Sequence, residues 1–362
     1  MGGKIMIERA QSVSRNNNFN IVRFVAACMV VYGHMYVLLG VPGATIMNDA
    51  IHIIGVKILF IISGFLVTEI YFRDPNIMRY AIRRIFRIVP GYVFLIMITT
   101  FLIGPVVSSW SVREYFTSSG IWTYLNNLRF FIVFSLPGVF TDNLSQAVNR
   151  SIWAIPVEIL TYILLPIMAW LSVKTIGLKF GLPLAGIMFI LVNVVRILFI
   201  PEFAYVVYGT EVTSALILTV YFIIGCAFSS PYLRKLLDLQ IASAILFVGL
   251  MLNMSGVKTT ILMYVVMPYF VLSFCLHREP KFAYLFKKVD LSYGVFLYGF
   301  VIQQAVIHYA KGILISPNIT FLASMVLTLL AATVSWYLVE KPGQSLGKKI
   351  VKRLEEHDHA RT

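Results

Sequence analysis

The sequence has few charged residues and few cysteines, and both shortages restrict the class of protein. Charged residues make up 13% of the 362 positions and apolar residues 59%, with a mean hydropathy of +0.83. A water-soluble fold needs more polar side chains than this to cover its surface, so that class is excluded. The 3 cysteines lie within apolar runs, which indicates packing residues and excludes a disulfide framework.

Long apolar runs are present instead, and they predict an all-α polytopic transmembrane bundle of about ten helices. Each run is long enough to cross about 30 Å of hydrocarbon. The runs cover residues 19–40, 51–72, 88–107, 151–172, 181–200, 212–229, 239–255, 259–276, 291–311 and 319–339. The predicted organisation is therefore a cytoplasmic N-terminal segment at 1–18, a membrane domain at 19–340 with an outer segment at 108–150, and a cytoplasmic polar tail at 341–362. The first run lacks a cleavage site, so we expect an uncleaved first helix.

Acidic residues are scarce as well, since the chain has 16 Asp and Glu but 30 Lys and Arg. The formal net charge is therefore +14. With the N-terminus in the cytoplasm, 22 of the 30 basic residues fall on the inner side, 5 fall outside and 3 lie within helices. This bias predicts that both termini are cytoplasmic, which requires an even number of helices. We expect a multi-pass protein of a bacterial inner membrane or plasma membrane, with the lipid bilayer and no nucleic acid as partner.

The first apolar run contains two polar residues, Arg23 and His34. They are eleven positions apart, so they share one helix face and differ in height by about 16 Å. An Arg inside a membrane costs about 3 kcal/mol, which makes such a pair a functional hypothesis by default. The alternatives are that Arg23 reaches the membrane surface or pairs with Glu69, and that His34 is a core histidine.

Two further ionisable residues are predicted to lie at the depth of His34. Counting helix rise from the assumed outer boundary places Lys57 and Glu158 about 9–10 Å below it. Three such groups from three helices predict a polar layer with a reaction centre. The competing interpretation of Glu158 is an ion pair with Lys57 that holds helices together.

The inner loop at 73–90 holds five arginines. Arg87 stands four positions after Arg83 and three after Arg84, a spacing that suits a polyphosphate. An anchor to anionic lipid explains the same cluster.

Aromatic and amide side chains flank the start of the fourth predicted helix. They suit an interfacial belt and a sugar-binding surface equally well. The candidates for acceptor binding are Trp122, Tyr124, Asn149, Ser151, Trp153 and Tyr162. We expect no metal and no tightly bound cofactor.

Several motifs occur in the order of a known family. They are Arg23 and His34 with ten residues between them, ILFIISGFL, RRIFRIVP, AVNRSIWAIPVE around Glu158, LSYGVFLYGFVIQ at 291–303, and VEKPGQ after the last helix. In this order they resemble the acyltransferase-3 family of integral membrane acyltransferases over nearly the whole chain. The resemblance implies transfer of an acyl group, usually acetyl from acetyl-CoA as co-substrate, to a hydroxyl of a surface polysaccharide or glycolipid sugar.

The resemblance and the layout together give each candidate a role. His34 is the expected general base, Lys57 the oxyanion stabiliser, and Glu158 the residue that orients the imidazole. Arg23 and the three loop arginines would bind acyl-CoA. The alternatives are a transporter or flippase of a glycolipid or small anionic substrate, and an inactive relative that senses acyl-CoA.

Two features depart from the family pattern. Many relatives carry a histidine where this chain has Gly299, so that role is absent or moved, with His308 as a candidate. Many also have a soluble hydrolase-like domain after the last helix, whereas 22 residues follow Glu340 here. We therefore expect no second acyl-transferring site.

Overall fold

A computed structural model of the chain is built almost entirely of helices. It describes residues 17–175, 191, 205–277, 280, 282, 284, 289–310 and 316–359. Strand pairing in these ranges is limited to an isolated bridge and two short antiparallel hairpins, β1 (Thr45–Ile46) with β2 (Asp49–Ala50) and β3 (Val206–Val207) with β4 (Thr210–Glu211). The predicted helical class is thus confirmed for the described residues.

The helices follow the apolar runs closely. In chain order they are α1 (Phe19–Leu39), α2 (Ile51–Arg73), α3 (Ile77–Ile98), α4 (Gly104–Val107), α5 (Val112–Thr117), α6 (Ser119–Tyr124), α7 (Ala154–Thr175), α8 (Val212–Phe228), α9 (Pro231–Arg234), α10 (Leu239–Met254), α11 (Met263–Cys275), α12 (Ser292–Tyr309), α13 (Pro317–Ser335) and α14 (Lys341–His359). A π-helical turn joins α3 to α4 and another joins α13 to α14, at Thr99–Ile103 and Trp336–Glu340.

Five of the described helical stretches are long and apolar enough to cross a membrane. They are Phe19–Leu39, Ile51–Arg73, Ile77–Val107, Ser151–Trp170 and Pro317–Asp358. Nine of the ten predicted runs coincide with a described helix, and the run at 181–200 lies outside the described residues. The chain is therefore a helical membrane protein, while the total of ten helices and the cytoplasmic termini stay predictions.

The central helices touch through backbone because glycines remove the side chain at their contacts. A Cβ added at Gly64 of α2 would lie 2.0 Å from the carbonyl oxygen of Phe222 in α8. One added at Gly55 would lie 2.5 Å from the carbonyl oxygen of Ala26 in α1. Small residues at helix contacts are how membrane bundles gain van der Waals packing. These contacts fix the register of α2 against both neighbours.

The β1–β2 hairpin sets where α2 begins. Gly40 ends α1 in the left-handed conformation, with φ of 66°, and Met47 and Asn48 in the hairpin turn also have positive φ, 51° and 70°. Two consecutive positive φ angles give the tight turn that matches strand twist. We call this side of the bundle, at Thr45–Ala50, the hairpin end.

The opposite side, formed by residues 73–90 and α14, is the arginine end. There α14 packs on α3 so closely that a Cβ at Gly347 would lie 2.7 Å from Phe86 Cβ. Ion pairs hold the same two helices: Arg79 binds Asp358, and Arg83 Nη2 lies 3.2 Å from Glu355 Oε1. The predicted polar tail is thus a docked helix over Lys341–His359.

Candidate functional site: an arginine-lined cavity that leads to His34

A cavity of about 290 Å³ lies between α1, α2, α3, α7 and α12. Its wall combines apolar side chains with a small set of polar ones, as ligand cavities usually do. The polar lining residues are Arg23, Ser63, Arg84, Arg87, Glu158, Tyr162, Asp290, Ser292, Tyr293 and Gln344. The cavity thus brings Arg23 together with two of the three predicted loop arginines and with Glu158. It does not include Arg83 or His34 in its lining.

Asp290 holds two of the cavity arginines. Its Oδ2 accepts hydrogen bonds from Arg23 Nη1 at 2.8 Å and Arg87 Nη2 at 2.7 Å. Ser292 donates to Oδ1 through its backbone N–H at 3.2 Å and its hydroxyl at 2.5 Å. Burial by itself raises the pKa of Asp290, but the guanidinium charges and the Ser292 hydrogen bonds more than offset it and hold that pKa below its ordinary value.

The pairing of Arg23 with Glu69, considered from the sequence, is wrong. Glu69 binds Arg234, and its other oxygen lies 3.8 Å from Arg73 Nη2. Arg23 instead crosses to Asp290, which is 267 positions away in the sequence. The two carboxylates were not distinguishable by helix rise, because the position of Asp290 depends on how α12 packs against α1.

We expect Asp290→Asn to lower the free energy of unfolding by about 2 kcal/mol, because Arg23 and Arg87 lose a charge-assisted acceptor while the amide keeps the shape. A depressed carboxyl pKa means that this stabilisation is present above the ordinary pKa of Asp and is lost as the pH falls through the folded-state pKa. Thermal unfolding of the purified variant at neutral pH measures it. Glu356→Gln is the matched control, because the partner of Glu356 among the described residues is the exposed Lys352, 3.6 Å away, and its loss should leave Tm unchanged. An unchanged Tm for the Asp290 variant would contradict this assignment.

Neighbouring arginines on α3 have different surroundings. The Arg84 guanidinium lies 5.6 Å from the centre of the Tyr162 ring, and its buried Nε has no hydrogen-bond partner in the described part of the chain. Arg83 Nη2 instead lies 2.7 Å from Asp74 Oδ2, in the ion-pair network with α14. Both arginines were predicted to bind phosphate, but the structure places Arg84 at the cavity and Arg83 beside it.

Glu158 and Tyr162 lie one turn apart on α7 and share a hydrogen bond in the cavity wall. Tyr162 Oη donates to Glu158 Oε1 at 2.6 Å, and the Ser63 hydroxyl, 3.0 Å away, can then donate to Tyr162 Oη. Tyr162 was predicted to bind the acceptor, but its ring lies under Arg84. Glu158 and Tyr162 are therefore parts of the arginine cavity.

His34 is buried near the hairpin end, between α2, α7 and α12. Its Nδ1 lies 3.4 Å from Ser151 Oγ, and its ring is 5.0 Å from the His52 ring and 5.2 Å from the Phe300 ring, measured between centroids. Asn149 fixes this corner, because its Oδ1 accepts from Ser151 N at 3.0 Å and its Nδ2 donates to Leu297 O at 2.7 Å. Three predicted site residues, His34, Asn149 and Ser151, thus come together.

Lys57 faces the hairpin. Its Nζ donates to Asp49 Oδ2 at 2.6 Å and lies 5.1 Å from the centre of the Tyr221 ring. The contact of His52 with Gly33 sets the height of His34, and Lys57 stands five residues, roughly 7.5 Å, further along α2.

The expected single layer of His34, Lys57 and Glu158 does not hold for His34, which lies closer to the hairpin end than the other two. Tyr162, one turn after Glu158, reaches Ser63, which is six residues after Lys57 on α2. Helix rise therefore places Glu158 within about 3 Å of the height of Lys57. Helix rise was counted from assumed membrane boundaries, and the hairpin shifts the real start of α2 to the level of Gly33.

The remaining predicted acceptor residues are spread over the molecule. Trp122 is 71% exposed, whereas Tyr124 is fully buried in the core. Trp153 is half-buried, and its carbonyl oxygen accepts from Thr210 Oγ1 at 3.1 Å. Gly299 packs on α1, where an added Cβ would lie 2.4 Å from Val31 Cγ2, so a larger side chain there would require Val31 to shift. His308 contacts the Phe140 ring, 6.0 Å away.

Sequence reasoning missed two residues of this region, Asp290 and His52. Asp290 had a weak local signal, because an Asp two positions before Ser292 at a helix start is a typical capping arrangement. His52 had none, because its position beside His34 depends on the hairpin between α1 and α2. Both are long-range consequences of packing.

One face of α12 connects the two regions. Tyr293 stacks under the Arg87 guanidinium at 5.7 Å, Phe296 lines the cavity, and Phe300 contacts the His34 ring. Residues spaced by three and four share a helix face, so these rings form a continuous row. Ala154 and Ile155 extend the opposite wall toward Ser151. We call this path, from Arg87 past Phe296 to His34, the aromatic track.

These features define a helical membrane protein with an arginine-lined cavity and a row of aromatic side chains between that cavity and a buried histidine. The chain belongs to the acyltransferase-3 family: the family's model, described as an acyltransferase domain, matches residues 16–339. It is therefore an enzyme, an acyltransferase. The resemblance noted in the sequence is confirmed.

Two curated relatives are similar to the chain. An O-acetyl transferase of Shigella phage Sf6 is 26% identical over 343 residues, which cover 90% of this chain and 96% of that protein. Nodulation protein 10 of Rhizobium leguminosarum bv. viciae is 26% identical over 171 residues, 43% of this chain and 45% of that protein. No solved structure matches the chain.

Proposed function

We propose that the chain is an O-acetyltransferase that moves acetyl from acetyl-CoA to a hydroxyl of a cell-surface polysaccharide or glycolipid sugar. The observation that carries this proposal is the aromatic track, because it joins a cationic cavity to a buried histidine. The name of the phage relative, an O-acetyl transferase aligned over nearly its whole length, supports the type of group transferred.

The cavity is the proposed donor site, with the arginine end in the cytoplasm of a bacterial inner or plasma membrane. Three guanidiniums line it against two carboxylates, so its wall keeps a surplus positive charge. Arg84 is the one among them without a carboxylate partner in the described residues, which makes it the first candidate for a phosphate of the donor. Arg83 would then act indirectly, by holding α3 to α14.

The acyl arm of the donor would follow the aromatic track, so that the thioester carbonyl reaches His34. With Nδ1 beside Ser151, His34 Nε2 is the nitrogen that would take the proton of the acceptor hydroxyl. The new bond joins the sugar oxygen to the acyl carbon, the carbon–sulfur bond breaks, and its electron pair leaves on the thiolate. A thiol has a pKa near 8.5, so the thiolate needs little acid assistance to leave.

Lys57 and Glu158 have other parts in this scheme than those expected from the sequence. We propose that Lys57 holds the hairpin through Asp49 and stabilises an oxyanion only if that pair opens. Glu158 keeps Tyr162 in place under Arg84 and so shapes the donor cavity. Asn149 and Ser151 orient His34 on the acceptor side.

The test uses the full chain in proteoliposomes with radiolabelled acetyl-CoA and the glycolipid and polysaccharide fraction of the host cell. We expect alkali-labile label on the carbohydrate, released with one CoA thiol per acetyl group. Movement of glycolipid across the vesicle membrane without acetyl-CoA consumption would show a flippase instead. Donor binding without transfer to any fraction would show a sensor.

A further inference from the structure

A second histidine, His52, lies directly against His34. Their ring centroids are 5.0 Å apart with 30° between the ring planes, so the two imidazoles face each other without a hydrogen bond. His52 is the second residue of α2, just after the β1–β2 hairpin. It is half-buried, whereas His34 is buried. His52 is thus the more exposed of the two imidazoles.

The backbone is arranged to admit His52 at this position. A Cβ on Gly33 would lie 2.6 Å from His52 N and 2.9 Å from His52 Nδ1, so an alanine there would push the start of α2 away, together with the second imidazole. The glycine lies immediately before His34 in α1. The closeness of the two rings thus depends on a residue without a side chain.

The nitrogens of His52 have no hydrogen-bond partner among the residues that the structure describes. Other polar side chains of this corner are engaged, since Asn149 binds both Ser151 N and Leu297 O. Because Nδ1 packs against Gly33, Nε2 is the nitrogen left for a ligand, and it donates or accepts a hydrogen bond according to the tautomer.

We propose that His52 is a substrate-binding residue that hydrogen-bonds a second hydroxyl of the acceptor sugar while the attacking hydroxyl lies at His34. This proposal rests on the proposed function. Sugars carry neighbouring hydroxyls that both donate and accept, and two adjacent imidazoles offer matching groups. The recognition of a hydroxyl pair would select a sugar over water as the acyl acceptor, because a site built to hydrogen-bond a hydroxyl discriminates against molecules that lack it.

Two substitutions separate binding from packing. His52→Phe keeps an aromatic ring against His34 and removes the nitrogens, whereas His52→Gln removes the ring and keeps an amide that can hydrogen-bond. In cells where the unaltered chain adds ester-linked acetate to surface polysaccharide, we expect His52→Phe to lower that acetate about tenfold and His52→Gln to retain more of it. The affinity of each purified variant for acetyl-CoA should stay within about twofold of the unaltered chain.

The opposite order, with Phe more active than Gln, would show that His52 only packs against His34 and would overturn the proposal. Equal activity of all three proteins, or a loss of acetyl-CoA affinity equal to the loss of acetate, would overturn it as well. If both variants unfold at a lower temperature, Gly33→Ala supplies the second measurement, because it displaces His52 and should also lower acetate. His277→Gln, at an exposed histidine, is the control. If the unaltered chain adds no acetate, the proposed function itself fails.

Discussion

Replacing His34 by alanine is expected to lower acyl transfer by a factor of about 10² to 10⁴ and to leave the affinity for acetyl-CoA nearly unchanged. The reason is geometric, because His34 lies at the far end of the aromatic track and outside the lining of the arginine cavity. A base at that place assists the step in which the acceptor proton leaves, and it makes no contact with the donor phosphates. Transfer rates and acetyl-CoA titrations on the same purified variant measure both quantities.

Ser151→Ala is expected to have a smaller effect than His34→Ala. It removes the hydroxyl 3.4 Å from His34 Nδ1 but leaves the imidazole in place, so we expect a loss of about tenfold rather than a thousandfold. A His34 variant that loses donor affinity and turnover in equal measure, with a lowered Tm, would show that His34 is a core residue.

The second large effect is expected at Arg84. Arg84→Gln should weaken acetyl-CoA binding by about 10- to 100-fold, because one charge-assisted hydrogen bond is worth roughly 1.5–3 kcal/mol. The residual binding should also depend less on salt. Arg84 is the cavity arginine that no carboxylate of the described residues neutralises, so its charge is available to a phosphate.

Arg83→Gln is the matched control, one position away on the same helix. Arg83 is bound to Asp74 and Glu355, so its loss should lower Tm and change donor affinity much less than the Arg84 substitution. Equal effects of the two substitutions on donor affinity would favour a diffuse cationic surface over a defined site. Unchanged donor affinity in both, with less protein in the membrane, would favour a lipid anchor.

Residues close in the sequence were placed correctly by pattern alone. The apolar runs give nine described helices because a membrane helix must satisfy its own backbone hydrogen bonds over about 20 residues. Within one helix, the period fixes the relation of Arg23 and His34, and both contact α12 or the residues just before it, Arg23 at Asp290 and His34 at Phe300.

The same pattern reasoning could not predict how residues on different helices are placed relative to one another. Helix rise alone could not show that α2 begins level with Gly33. The predicted height of Lys57 relative to His34 was therefore in error by one or two helical turns. Charge alone could not show which carboxylate Arg23 binds, because Glu69 and Asp290 are equally able to pair.

The sequence by itself determined a helical membrane protein with basic residues gathered at one end and a histidine on the Arg23 face. Those properties follow from composition and from the fixed geometry of one helix. Only the tertiary structure decided that Asp290 holds Arg23 and Arg87, that Arg84 and not Arg83 lines the cavity, and that His52 stands beside His34. Each of these depends on contacts between residues on different helices, and such contacts are set by packing, where glycines such as Gly33 admit close approach and larger side chains prevent it.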